Sequence, residues 1–293
     1  MTLARALLAP TLAVAALGSP AHAQTVVAHR GASALLPEHT FAAWDRALEM
    51  GADYIEQDLQ MTADGHLVVL HDGRLDRTAR GPDADCAGRV IDRTLEQLRR
   101  CEVSTWKVEQ LREAGFTAEA EAIAALPPQR IPTLAEVFER YGTDGSVRYY
   151  IETKNPEEAP GMEAALVALL RTFDLYPDGP EDRTVLIQSF SAASLRSLHA
   201  SAPELPLVQL GDAGIGDAAD PSAVLDRIAE YAVGWGPSHR WITPERVAAA
   251  HAAGLVVHPY TVNDADRMRE LLAAGVDGMF TDVPDVLLGL LDR

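Results

Sequence analysis

The stretch Asp53-Tyr54-Ile55-Glu56-Gln57-Asp58-Leu59-Gln60-Met61-Thr62-Ala63-Asp64-Gly65-His66-Leu67-Val68-Val69-Leu70-His71-Asp72 decides the fold. It contains two strand-like runs, Asp53–Asp58 and Leu67–His71, with no room for a helix between them. Asp64-Gly65 is a strong hairpin turn signal. Leu67–His71 is therefore expected to return beside the run before it. Seven further runs lie outward from this pair: Thr25–His29, Arg148–Thr153, Val185–Ser189, Leu207–Leu210, Ala232–Trp235, Leu255–Tyr260 and Asp277–Thr281. Amphipathic segments at Thr40–Met50, Leu134–Tyr141, Met162–Phe173, Ala192–Ala200, Pro244–Ala253 and Ala265–Ala274 separate most of them. Such alternation argues for βαβ units on a parallel sheet. Nine runs are one too many for an eight-stranded barrel, and the hairpin removes the excess. The expected fold is α/β, a (β/α)8 TIM barrel.

Residues 72–130 break the rhythm. They are rich in charge, hold both cysteines, Cys86 and Cys101, and end in Leu126-Pro127-Pro128. This reads as a small insertion subdomain after the β2 hairpin. Ile131-Pro132-Thr133 resumes the pattern, with Thr133 placed as a helix cap.

Met1–Ala23 has the layout of a secretory signal: an early cation at Arg5, a short apolar stretch over Ala6–Leu17, and Ala21-His22-Ala23 as the cleavage site. The apolar stretch is shorter than the roughly 20 residues a bilayer needs. The expectation is a mature domain over residues 24–293, periplasmic or secreted, with no stable membrane insertion. A hydrophobic fraction of 47% suffices for one large core. The net charge of −18 repels nucleic acid at long range, and an anionic substrate needs a local cationic site against that field. A lone cysteine pair in an oxidising compartment usually forms a disulfide, worth about 3 kcal/mol in the loop-entropy picture; the alternative is two free buried thiols.

Barrel enzymes carry their chemistry at the C-terminal strand ends. Here those ends read His29-Arg30-Gly31, Glu56-Gln57-Asp58, His71-Asp72 and Glu152-Thr153-Lys154. Glu56 and Asp58 share one side of a strand and follow Tyr54 in the alternation, which places them toward the barrel interior. Two bare carboxylates there repel one another and lose hydration, a difficulty that a cation removes. With Glu152 they form a hard oxygen set suited to Ca²⁺ or Mg²⁺. His29 and His71 supply candidates for general acid and base. Arg30 and Lys154 suit a phosphate, or pair with Glu56 or Glu152 in the empty enzyme. Glu38, in Pro37-Glu38-His39-Thr40 at a helix start, is given a cap or first-turn role ahead of a substrate-facing one.

These motifs resemble the glycerophosphodiester phosphodiesterase family. The resemblance rests on His29-Arg30-Gly31-Ala32-Ser33, Pro37-Glu38-His39-Thr40, Glu56-x-Asp58, His71-Asp72, Glu152-x-Lys154, Gln188-Ser189-Phe190, Tyr260-Thr261-Val262-Asn263, Asp277-Gly278 and Thr281-Asp282-x-Pro284, in family order. Val257-His258-Pro259-Tyr260-Thr261-Val262 is similar to the periplasmic branch, although many relatives carry Trp where this chain has Tyr260. The resemblance implies a divalent ion on Glu56, Asp58 and Glu152, with Ca²⁺ ahead of Mg²⁺. It implies an acid–base pair in His29 and His71, and phosphate binding by Arg30 and Lys154. The implied substrates are small glycerophosphodiesters such as glycerophosphocholine and glycerophosphoethanolamine, cut to sn-glycerol 3-phosphate and an alcohol. A lipase-like phosphodiesterase would need an apolar lip or a lipid-binding patch. A non-catalytic binder would be expected to lack one of the histidines or carboxylates, and none is missing.

Overall fold

The structure, a computed structural model, describes residues 24–82, 84–216 and 221–293. Met1–Ala23, where the signal segment is expected, lies outside the described residues. Among the described residues nine strands form one sheet: β1 (Thr25–Ala28), β2 (Tyr54–Met61), β3 (Leu67–Val69), β4 (Tyr149–Thr153), β5 (Val185–Ser189), β6 (Leu207–Leu210), β7 (Gly234–Gly236), β8 (Val256–Val257) and β9 (Gly278–Thr281). The ladder runs β8-β7-β6-β5-β4-β2-β1-β9, parallel throughout, and β3 pairs antiparallel with β2. Backbone bonds from Asp277 N to Val257 O (3.0 Å) and from Phe280 N to Pro259 O (3.0 Å) bring the two ends of the ladder together. Pro259 has no N–H to give, so the pairing lapses there and resumes at Val262, whose N donates to Phe280 O at 2.8 Å.

The hairpin is as expected. Met61 pairs with Leu67 across a loop in which Gly65 takes φ +83°, and Leu59 pairs with Val69. One difference is that β2 continues past Asp58 to Met61. Its upper half is held on both sides, by β4 through Leu59–Thr153 and by β3, so the extra residues have ladder partners.

Helices α1 (Phe41–Met50), α2 (Leu95–Leu98), α3 (Thr105–Glu113), α4 (Thr117–Ala124), α5 (Leu134–Tyr141), α6 (Met162–Thr172), α7 (Ala192–Ser201), α8 (Pro221–Ala229), α9 (Pro244–Ala252), α10 (Ala265–Ala273) and α11 (Pro284–Leu290) complete the chain. Local chemistry sets their starts. Thr40 caps α1 by accepting from Ala43 N, and Thr133 with Glu136 forms a capping box on α5. No helix among the described residues is long and apolar enough to cross a membrane.

Two cores result. Side chains between helices and sheet form the larger one, including Trp44, Phe138, Tyr149 and Leu166. Inside the barrel, Val27, Tyr54, Tyr150, Leu186, Val208 and Phe280 form one apolar layer. Tyr150 packs edge-on against Tyr54 and Phe280, at 5.6 and 4.8 Å between centroids. This layer is the floor on which the polar residues stand.

Residues 72–130 carry a small core of their own, with Leu75, Val90, Leu98, Cys101 and Val103 packed on Val68, Leu70 and Ile131. Cys86 and Cys101 are disulfide-bonded within it.

Candidate active site

Strand alternation builds the site from the floor upward. Two residues beyond Val27, Tyr54, Tyr150, Leu186 and Val208 come His29, Glu56, Glu152, Gln188 and Leu210, and all five line one hollow. Arg30, His71, Lys154, Phe190, Tyr260, Thr261 and Phe280 complete its wall, around a volume of about 140 Å³. Six of the seven expected site residues therefore line one hollow. The seventh, Asp58, is buried close behind, with Lys154 Nζ 3.9 Å from its Oδ1 and Arg30 Nε 3.5 Å from its Oδ2.

The loop after β1 is shaped by backbone need. Arg30 sits at φ +59°, which turns its N–H onto Glu56 Oε2 at 2.7 Å. Gly31 follows at φ +87°, and a Cβ there would lie 2.7 Å from the Ala43 carbonyl carbon, so only glycine lets α1 come this close.

Each histidine is tethered. His29 Nδ1 donates to Asp282 Oδ1 at 2.6 Å, and His71 Nδ1 donates to Asp72 Oδ1 at 2.6 Å. A carboxylate only accepts, so both rings keep their proton on Nδ1 and leave Nε2 as the basic nitrogen. Ser33 Oγ and Asn263 Nδ2 also donate to Asp282, at 2.9 and 2.6 Å. Burial, with Arg30 and Lys154 nearby, outweighs the pull of Asp58 and Asp72 and brings the His71 pKa down to about 4. That imidazole is neutral at physiological pH.

The three carboxylates do not behave alike. Burial raises Glu56 and Glu152 well above the usual carboxylate range, and the charge of Asp58 adds to the rise. Burial also opposes the charge on Asp58, but His39, Lys154 and Arg30 together hold it well below that range. Lys154 Nζ lies 3.0 Å from Glu152 Oε1, one of the ion pairs expected for this lysine.

Asp58 Oδ1 is buried without a hydrogen-bond partner, and Gln188 Oε1 shares that condition. Orphaned oxygens beside two carboxylates whose charge is opposed by burial and by Asp58 suit a positive charge placed among them. The residues present thus fit a divalent cation. The tightest group among the described residues is His39, Glu56 and Asp58, whose ligand atoms lie within 4.8 Å of one another. His39 Nε2 is 2.8 Å from Asp58 Oδ2, in a buried pair.

Sequence reasoning gave no role to four of these neighbours. Asp72 was legible as the residue next to His71. Asp282 and His39 stood in recognised motifs, with nothing local to say what they touch. Arg77, which binds Glu38 and Asp72, gave no signal at all. Glu38 is neither the helix cap, which is Thr40, nor a first-turn acid; it is buried between Arg77 and Arg30.

Acid–base groups and cations gathered at the C-terminal strand ends define a hydrolytic enzyme of the (β/α)8 barrel class. Residues 29–286 match the Glycerophosphoryl diester phosphodiesterase family, and the chain belongs to that family. It is similar to the glycerophosphodiester phosphodiesterase of Bacillus subtilis (strain 168), 42% identical over 260 residues that cover 89% of this chain and 84% of the relative. A relative from Caldanaerobacter subterraneus subsp. tengcongensis, of the same description, is 37% identical over 92% of this chain and 98% of its own length. Among solved structures, the phosphodiesterase of Oleispira antarctica in complex with the product sn-glycerol-3-phosphate superposes with a TM-score of 0.74. It is 27% identical and covers 92% of this chain and 97% of its own. A putative glycerophosphoryl diester phosphodiesterase from Silicibacter pomeroyi DSS-3 gives 0.76 at 27% identity, over 94% and 95%. The protein is an enzyme, a phosphoric diester hydrolase of this family.

Proposed function

We propose that the chain hydrolyses glycerophosphodiesters such as glycerophosphocholine and glycerophosphoethanolamine, giving sn-glycerol 3-phosphate and the free alcohol. The observation that carries this reading is the pair of carboxylate-tethered imidazoles on one hollow, with Arg30 and Lys154 beside them. A relative of the same fold holds sn-glycerol-3-phosphate as product, which supports the same product here.

Arg30 and Lys154 bind the phosphate oxygens and stabilise their growing charge. The neutral His71 takes a proton at Nε2 from the attacking water as its oxygen bonds phosphorus, and His29, in its doubly protonated form, gives its Nε2 proton to the alcohol oxygen as that bond to phosphorus breaks. Asp72 and Asp282 keep each ring in the required tautomer, as the aspartate of a catalytic triad does. Glu56, Asp58 and Glu152 would hold a divalent cation, an oxygen set that suits Ca²⁺ or Mg²⁺, with Ca²⁺ put first on the family resemblance alone. When bound, that ion supplies Lewis-acid polarisation of a phosphoryl oxygen. His39 is assigned to orient Asp58.

The test is release of glycerol 3-phosphate from glycerophosphocholine, first with EDTA and then with Ca²⁺ or Mg²⁺ restored. Loss followed by recovery is the expected result. No release from folded, metal-loaded protein rejects the substrate.

The proposed location is periplasmic or secreted. Support comes from the Cys86–Cys101 disulfide, a bond of oxidising compartments. Fractionation of expressing cells, with N-terminal sequencing of the mature chain, checks it; a chain found in the cytosol with its leader intact would overturn it.

A further inference from the structure

We infer that Arg77 is a positioning residue which sets both His71 and Arg30, so that the segment after the hairpin forms part of the catalytic machinery. The inference rests on the proposed function of those two residues.

Arg77 spends its whole guanidinium on two carboxylates. Nε donates to Asp72 Oδ2 at 2.6 Å, while Nη1 and Nη2 donate to Glu38 Oε2 and Oε1 at 2.9 and 2.6 Å. Each carboxylate also meets an active group, Asp72 through its other oxygen and Glu38 through Oε1, which Arg77 and Arg30 share. Asp72 Oδ1 holds His71 Nδ1 at 2.6 Å, and Glu38 Oε1 accepts from Arg30 Nη1 at 3.2 Å. The chain of contacts His71–Asp72–Arg77–Glu38–Arg30 therefore joins the proton-transfer group to the phosphate-binding group through one side chain.

An exposed ion pair of ordinary kind would be worth little. This one differs in two respects. Glu38 is 8% exposed and needs more than Arg30 to satisfy it. The planar fork also fixes direction as well as charge, which a lysine cannot do. Trp106 backs the fork, with the Arg77 guanidinium 5.5 Å from its ring centroid. Lys107 lies 5.7 Å from the same ring and donates to Ser33 O at 3.0 Å, and Ser33 Oγ in turn donates to Asp282, the anchor of His29. The insertion thus reaches both histidine tethers.

Two consequences follow if Arg77 is lost. Asp72 is free to rotate away from Nδ1, and His71 loses its tautomer. Glu38, stripped of two donors, draws Arg30 to itself and away from a phosphate. The first lowers kcat and the second raises KM.

The test compares wild type, Arg77→Lys, Arg77→Gln, Asp72→Asn and the Arg77→Gln/Asp72→Asn double variant with glycerophosphocholine, alongside thermal unfolding. In both Arg77 variants kcat is expected to fall about 10- to 100-fold, the range for partners that orient active groups, with KM raised. The double variant should be no slower than Asp72→Asn alone, because both act on one tether. A folded Arg77→Lys protein with kcat and KM within about twofold of wild type overturns the inference, as does a double variant in which the two losses multiply. Should neither Arg77 variant fold, the role is structural and the inference also falls.

A readout that needs no turnover separates this inference from the proposed function. The downfield Nδ1 proton of His71, assigned with His71→Gln, should vanish or shift in Arg77→Lys by proton NMR. Inactive wild type with that shift sinks the substrate reading and keeps the Arg77 assignment. An unchanged resonance sinks the assignment whatever the activity.

Discussion

The two ends of the barrel obey opposite rules. At the N-terminal end, Asp53 accepts from Val26 N at 2.8 Å, from Arg148 at 3.3 Å and from both terminal nitrogens of Arg293 at 2.9 and 2.7 Å. Tyr54 and Tyr149 hydroxyls donate to the Arg183 and Gly142 carbonyls, each at 2.6 Å. Every one of those groups has a partner. At the C-terminal end, His39 Nδ1, Asp58 Oδ1 and Gln188 Oε1 are buried without a hydrogen bond, against Gln24 Oε1 at the other end. Backbone strain leans the same way. Among the described residues Arg30, His39, Asn155 and Ala213 hold positive φ on loops that follow strands, against Asp174 and Asp292 after helices, a conformation costing a non-glycine residue about 1–3 kcal/mol. Costs of this kind survive where a ligand relieves them or where function needs the geometry. The comparison teaches that the lower end supplies stability and the upper end spends it.

The largest effect expected from breaking this division is chemical. Replacing His71 with Ala removes a proton-transfer group, for which a loss of about 10²- to 10⁴-fold in kcat is typical. Unfolding by heat should be little changed, since the His71 side chain is 31% exposed. A large drop in melting temperature with little loss of kcat would reverse the assignment of ends.

The next concerns the cation. Glu152→Gln should abolish turnover that depends on a divalent ion and leave the fold intact, as followed by activity and by calorimetric Ca²⁺ binding. His39→Gln should weaken ion binding by about 10- to 100-fold, the cost of losing a partner that orients a ligand. If His39→Gln abolishes binding and Glu152→Gln does not, the ligand set is His39, Glu56 and Asp58. A nitrogen in the set would then shift the preference from Ca²⁺ toward a transition metal.

How far the sequence reached follows the same division of ends. The strands were legible because alternation of β runs with amphipathic segments is a local property, and Asp64-Gly65 settled the count by marking one run as a hairpin return. Glu56, Asp58 and Glu152 were legible because the first two alternate onto one side of a strand after Tyr54, the third ends another strand, and such a set repels itself without a cation. What escaped was every contact made across the chain. Asp282 meets His29 from 253 residues away, and Arg77 meets Glu38 across 39. An arginine in a charged segment reads as a solvated surface until the fold shows its fork occupied on both sides.

A third change tests the lower end. Asp53→Asn leaves Arg148 and Arg293 without their anion and weakens the tie between β1, the approach to β4 and the C-terminus. Hydrogen bonds to a charged group contribute about 1.5–3 kcal/mol each at most, and the Asn retains part of the set, so about 2 kcal/mol is expected. In a domain of this size that lowers the melting temperature by a few degrees. Turnover of the folded protein at 25 °C should be unchanged. A fall in kcat would show that the floor of the barrel transmits strain to the rim, and the separation of ends would be lost.

The smallest effect is expected in acid, and it sharpens the comparison because it looks for stability at the catalytic end. Burial opposes the charge on Asp282, but hydrogen bonds from His29, Asn263 and Ser33 outweigh it and bring its pKa to about 2. An unfolded aspartate titrates near 4. A depressed carboxylate contributes stability that is complete above its unfolded pKa and is lost as pH falls through the folded one. The window is therefore about pH 4 down to about pH 2. Asp282 is 27% exposed, so screening leaves about 1 kcal/mol from this source. Asp282→Asn should lower stability at neutral pH by that amount and flatten its fall across the window, measured by urea unfolding at stepped pH. Equal slopes in wild type and variant would mean that the His29 tether contributes orientation and no stability, which is the pure form of the division between the two ends.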